Sequence, residues 1–82
     1  MSSVNVEQIP RKILEKAVTL RDPYRNIYLV LYGLARPATA KDVAQLVGHA
    51  RAYVHMRLLE LRERGLVKVS HEERTCKFEV VL

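Results

Sequence analysis

The sequence predicts a small, mainly α-helical domain that ends in a β-hairpin, with the element order α-α-α-α-β-β. Two observations predict this α+β class. Apolar residues recur at helical spacing between residues 10 and 64, in four segments that proline, glycine or capping residues separate. From residue 66 onward, apolar residues alternate with polar ones, as in a half-buried strand. Because 82 residues suffice for one small core, residues 1–82 are predicted to form a single domain, with residues 1–22 as an N-terminal extension containing the first helix.

The first two helices are read from their apolar spacing and from a start signal. The first is predicted over Pro10–Leu20, since proline is tolerated in a first turn. Asp22-Pro23 is a capping carboxylate followed by proline, and it predicts a second helix that runs to about Leu34. Residues 28–32 are apolar nearly all round, which fits either a central core helix or a helix that also meets a second subunit.

The third and fourth helices form a helix–turn–helix. Thr39 is predicted to cap the third helix, with Asp42 three residues on in a capping-box position, and Gly48 ends it. The fourth helix is predicted over about Ala50–Arg64, and Gly65 ends it in a left-handed conformation. The apolar stripe predicted to face the core consists of Val54, Leu58 and Leu61.

The C-terminal segment is predicted to form a hairpin. Its strands cover Leu66–Ser70 and Thr75–Leu82, and the polar segment His71–Arg74 connects them. No Asn-Gly or Asp-Gly pair marks the turn, so the turn type stays open. A short β-bridge is also expected near Pro37–Thr39.

One stretch carries a spacing pattern more specific than the helices themselves. In TAKDVAQLVGHARAYVHMRLLELRERGLVKV, small, glycine and aliphatic residues follow each other in the order Ala44, Gly48, Val54, Leu58, Leu61, Gly65, Leu66 and Val67. With this pattern the chain resembles the winged helix-turn-helix transcription regulators, including their small archaeal members and their MarR-like and ArsR-like branches. The resemblance covers roughly Tyr24–Leu82. It departs from the family at His49, where an aliphatic residue is usual.

The resemblance implies sequence-specific binding of double-stranded DNA for transcriptional regulation. The fourth helix would lie in the major groove and the hairpin would be a short wing. Residues expected at base edges are Arg51, Ala52, His55 and Met56, and those expected to reach phosphates or flank the groove are His49, Tyr53 and Arg57. Residues of the wing expected at phosphates are Arg74, Lys77 and Lys68. Arg51 is the strongest candidate because its planar fork matches O6 and N7 of guanine. Glu72 and Glu73 would repel phosphates, so the wing is expected to contact the DNA backbone only superficially and not to insert deeply into a groove.

Charge and composition narrow the function further. The net charge is +5, which favours a polyanionic partner. His49, His55 and His71 show no spacing typical of a catalytic or metal site, and Cys76 is the single cysteine. We therefore expect no enzyme activity, no cofactor, no metal and no small-molecule substrate. Residues 1–6 lack a signal-peptide pattern and no 18-residue apolar run occurs, so a cytoplasmic protein without a membrane partner is expected.

Two further expectations concern protein partners. Five apolar residues exceed what so small a core is expected to bury, and they predict a homodimer built on the first two helices: Ile13, Leu14, Val18, Tyr28 and Tyr32. The alternative function is a winged helix that binds protein inside an intracellular complex. Met56 and Leu59 favour that alternative, whereas Arg51, Arg57 and the absence of an acidic residue between Ala44 and Leu59 favour DNA.

Overall fold

The computed structural model describes residues 9–82, so the first eight residues of the predicted N-terminal extension lie outside the described part of the chain. Four helices are followed by one antiparallel pair of strands, so the predicted fold class and element order are confirmed. In chain order the elements are α1 (Arg11–Val18), α2 (Tyr24–Leu34), α3 (Ala40–Val47), α4 (Arg51–Glu63), β1 (Val67–Glu72) and β2 (Thr75–Val80).

Local signals set the bounds of α3 and α4 as predicted. The hydroxyl of Thr39 accepts a hydrogen bond from the Asp42 N–H at 3.1 Å, and the Thr39 N–H donates to the Asp42 carboxylate at 3.2 Å. This reciprocal pair is the capping box. Gly48 and Gly65 end α3 and α4 with φ of +77° and +76°, where glycine carries no Cβ penalty. After Gly65, the Leu66 N–H donates to the Leu61 carbonyl at 3.1 Å and the Leu66 carbonyl accepts from the Val81 N–H at 2.9 Å, so the chain passes from α4 into the hairpin.

The hairpin differs from its prediction in where the turn lies. His71 and Glu72 belong to β1, and the connection is the two-residue turn of Glu73 and Arg74, with φ of +56° at Glu73. The polar residues at the end of β1 were interpreted as part of the turn. In the structure, this end of the hairpin extends beyond the core into solvent and its strands stay paired there. The predicted bridge is confirmed: the Ala38 N–H donates to the Phe78 carbonyl at 2.9 Å, and the Phe78 N–H donates back at 2.7 Å.

The core lies between the helices and the inner face of the hairpin. Val54, Leu58 and Leu61 of α4 are fully buried, which confirms the predicted inward stripe. On the sheet side the core is closed by Val67, Phe78 and Val80.

The core is larger than the sequence suggested. Ile13 and Tyr28 are 1% and 0% exposed within the single chain, so the interpretation that they form surplus apolar surface is wrong. The physical reason is that α1 packs against α2, and together they bury residues assigned to a second subunit.

Candidate nucleic-acid interface

The first turn of α4 carries the residues predicted to meet base edges. Arg51 is exposed, and no carboxylate of residues 9–82 forms an ion pair with it. The N-cap is Ala50, which has no side chain able to accept a hydrogen bond from the helix N–H groups. Ala52 and Met56 lie one turn apart, and both are exposed, Met56 to 52%. The start of α4 therefore offers a free guanidinium beside two apolar side chains.

His55 is less exposed than Arg51, Ala52 and Met56. Its side chain is half-buried, and its ring meets the Phe78 ring edge-on, with centroids 5.6 Å apart and planes at 80°. Because Phe78 is fully buried in β2, His55 links α4 to the hairpin. A contact of His55 with a base stays a prediction.

A stacked row of side chains runs along the opposite flank of α4 and reaches the start of α2. The His49 and Tyr53 rings lie 5.0 Å apart, and the Arg57 guanidinium lies 4.9 Å from the Tyr53 ring and 5.7 Å from the Tyr24 ring. Arg64 ends the row, 5.4 Å from the Tyr24 ring. Each cation lies within the range of a cation–π contact. His49 and Tyr53 are exposed, so the row remains accessible at the end that adjoins Arg51.

Glu60 fixes the middle of the stacked row. The Tyr24 hydroxyl donates to Glu60 at 2.8 Å, and this hydrogen bond, with burial, raises the pKa of Tyr24. Glu60 also forms an ion pair with Arg57, whose Nε is buried without an aligned acceptor among the described residues. Burial acts to lower the pKa of Arg57, but its contacts with Tyr53 and Glu60 outweigh it and raise the pKa. The Arg57 guanidinium is thus engaged within the chain, and its predicted place at a phosphate or beside the groove stays a prediction.

The hairpin presents two of its three basic residues in pairs with acidic ones. Lys68 lies 3.7 Å from Glu79 and Lys77 lies 3.8 Å from Glu72, all on the outer face of the hairpin. Arg74 is exposed in the turn, and no carboxylate of the described residues pairs with it.

The inner face of the hairpin carries the single cysteine. Cys76 Sγ lies 3.3 Å from His71 Nδ1 on the neighbouring strand. Within residues 9–82, no three histidine, cysteine or acidic side chains come together as a metal site requires.

Sequence reasoning missed an open cavity of about 460 Å³ beside the turn between α3 and α4. Its lining residues are Asp22, Pro23, Arg25, Asn26, Leu29 and His49. Arg25 Nε donates to the Ala17 carbonyl at the end of α1, at 3.2 Å, which fixes the guanidinium beside the cavity. No sequence pattern pointed to it, because Arg25 and His49 line one cavity only in the folded chain.

The five residues predicted at a dimer interface differ in how far they are buried within the single chain. Ile13 and Tyr28 are in the core, as described above. Val18 is 70% exposed, and Leu14 and Tyr32 are half-buried against the core. None of the helices in the described part of the chain is long and apolar enough to cross a membrane.

Comparison with known proteins gives information on the fold. No protein-family model and no curated protein matches the chain. Among solved structures, the crystal structure of the ST1889 protein from the thermoacidophilic archaeon Sulfolobus tokodaii is similar, with a TM-score of 0.69 and 17% sequence identity. The similarity covers 87% of this chain and 71% of that protein. At this identity, the match shows a shared fold.

Proposed function

We propose that this protein binds double-stranded DNA sequence-specifically and acts as a transcription regulator of the winged-helix type. In this proposal α4 lies in the major groove and the hairpin is a short wing beside it. The observation that carries the proposal is the position of Arg51, exposed and without an acidic partner among residues 9–82, in the first turn of the second helix of a helix–turn–helix. There its guanidinium can donate to both O6 and N7 of one guanine.

The charges on the wing are compatible with a supporting role. The ion pairs of Lys68 and Lys77 are exposed, and such pairs contribute only about 0–1 kcal/mol, so a phosphate oxygen can replace the carboxylate. Arg74 is available in the turn without any exchange. Glu72 and Glu73 keep the wing close to neutral, which supports contacts with the backbone rather than insertion into a groove.

Selection from a random duplex pool, followed by fluorescence anisotropy on the selected site, tests the proposal. We expect a preferred site that binds at least about 10³-fold more tightly than random duplex at the same salt concentration. A protein that binds no duplex, or that binds all duplexes with equal affinity across a salt series, would contradict the proposal.

The second candidate function is a protein-binding winged helix. The exposed apolar side chains of the helix–turn–helix favour it: Leu46 is 61% exposed, Met56 52% and Tyr53 36%. These residues would form the centre of a protein interface, where apolar and aromatic side chains are enriched. Absence of duplex binding at low salt, together with capture of a protein that Met56→Glu abolishes, would favour this candidate over DNA binding.

A homodimer is part of the proposal for DNA binding, since two-fold operators match two-fold proteins. With Ile13 and Tyr28 in the core, the surface left for a second copy on α1 and α2 is reduced to Leu14, Val18 and Tyr32. Sedimentation at micromolar concentration is expected to give about twice the 9.5 kDa chain mass, and Val18→Glu is expected to return the protein to one chain. A single-chain mass at every concentration would refute the dimer and leave DNA binding untouched.

A further inference from the structure

We propose that the DNA-binding surface extends from the start of α4 across the open cavity to the junction of α1 and α2, where Arg25 and His49 contact a backbone phosphate of the bound duplex. This inference rests on the proposed function and adds Arg25, which the resemblance does not name, to the backbone contact that the resemblance implies for His49. His49 lies two residues before Arg51, so their Cα atoms are at most about 7.6 Å apart. A duplex seated on Arg51 is therefore adjacent to the cavity.

Arg25 is held in the position that such a contact needs. Its Nε donates to the Ala17 carbonyl at 3.2 Å, which fixes the direction of the guanidinium and leaves the terminal nitrogens without a carboxylate partner among the described residues. Asn26 and His49 add two polar side chains from different elements to the same cavity. An immobilised guanidinium loses less conformational entropy when it binds a phosphate than a free one does.

The distribution of paired and unpaired charge points to the same side of the molecule. Residues 67–80 of the hairpin contain three basic and three acidic residues, and two of the three basic ones are paired. Residues 11–25 contain five basic and two acidic residues, and none of the five forms an ion pair with a carboxylate of the described residues. The positive charge available to a phosphate backbone is thus concentrated at α1 and its junction with α2, not on the wing.

Asp22 lines the same cavity and opposes an anion there. Its carboxylate is exposed, so solvent weakens the repulsion without removing it. The arrangement gives two substitutions of opposite sign at one site. Removing the charge of Arg25 should weaken duplex binding, whereas Asp22→Asn should strengthen it.

The test measures duplex affinity against salt for the full chain and its variants. Arg25→Gln is expected to reduce the slope of log K against log[salt] by about 0.9 and to weaken selected and random duplexes alike, by about fivefold to tenfold at 0.1 M salt. The matched control is Arg62→Gln, which removes the same charge from the last turn of α4, where Arg62 pairs with Glu63. Arg62→Gln is expected to leave the slope unchanged.

Arg25→Lys keeps the positive charge, so it distinguishes loss of charge from a folding defect in Arg25→Gln. Circular dichroism checks the fold of both variants before binding is measured. The expected pattern is a normal slope for Arg25→Lys and tighter binding by Asp22→Asn. If the unaltered protein binds no duplex, the proposed function fails and the inference fails with it. If the unaltered protein binds duplex while Arg25→Gln and Asp22→Asn behave like Arg62→Gln, the phosphate contact is refuted and DNA binding stands.

Discussion

Replacing Arg51 by alanine separates base reading from general attraction to DNA. The structure indicates how much Arg51→Ala should change stability, because the Arg51 side chain is exposed and makes no ion pair with a described carboxylate. Removing it therefore leaves no buried partner unsatisfied, and alanine is at least as good a helix former as arginine. The free energy of unfolding is expected to change by less than about 0.5 kcal/mol. Any larger effect on binding then comes from the DNA contact itself.

A bidentate contact with guanine contributes about 1–3 kcal/mol of discrimination, so Arg51→Ala is expected to weaken the preferred site by about 5-fold to 150-fold. The preference for guanine at one base pair should flatten, while the other positions keep theirs. Anisotropy on the selected duplex and on its single-base variants, in one salt series, measures both effects. The reasoning is refuted if Arg51→Ala lowers the affinity for every duplex by the same factor, since Arg51 would then contact only phosphate.

Three further predictions concern the fold that positions α4. Leu58 is 0% exposed, so Leu58→Ala should lower the free energy of unfolding by about 2–5 kcal/mol, and a thermal midpoint that falls by only a degree or two would contradict this. Thr39→Ala removes the capping hydroxyl and should cost about 1 kcal/mol in urea denaturation, with Thr39→Ser largely retaining it. Burial raises the pKa of Tyr28, whose hydroxyl has no hydrogen-bond partner among the described residues. As the pH rises, the unfolded chain therefore loses the Tyr28 proton before the folded chain does, and the free energy of unfolding should fall above about pH 10. Tyr28→Phe should be at least as stable as the original protein at pH 7, and its stability should fall less at alkaline pH.

The parts of the fold that the sequence predicted depend on short-range signals. The capping box joins residues three apart, and the terminating glycines act on their own backbone angles. The hairpin followed from a change of period within 17 residues, although its turn was misplaced because polarity reports exposure and not pairing. Such signals require no knowledge of which elements meet.

Sequence reasoning could not predict the contacts that join distant parts of the chain. The Arg57 guanidinium contacts the ring of Tyr24 in α2, in addition to its helix neighbours Tyr53 and Glu60. The His55 ring contacts Phe78 of β2. The Arg25 side chain lies beside the cavity and donates to the Ala17 carbonyl of α1. These contacts arise from the packing of separate elements, and no spacing in the sequence records them.

The exposed side chains at the start of α4 limit what this helix can recognise. They include Arg51, Ala52 and Met56, one guanidinium and two apolar groups. In the major groove, apolar side chains distinguish bases through the C5-methyl group of thymine. The selected site is therefore expected to contain a guanine with thymine one or two base pairs away. Replacing that thymine by uracil removes only the methyl group and should weaken binding by about fourfold, the equivalent of about 0.8 kcal/mol for one buried methyl. If Met56 contacts the methyl group, replacing thymine by uracil should not weaken binding by Met56→Ala. If the replacement weakens the original protein and Met56→Ala equally, the methyl group is contacted by Ala52 or by none of these residues.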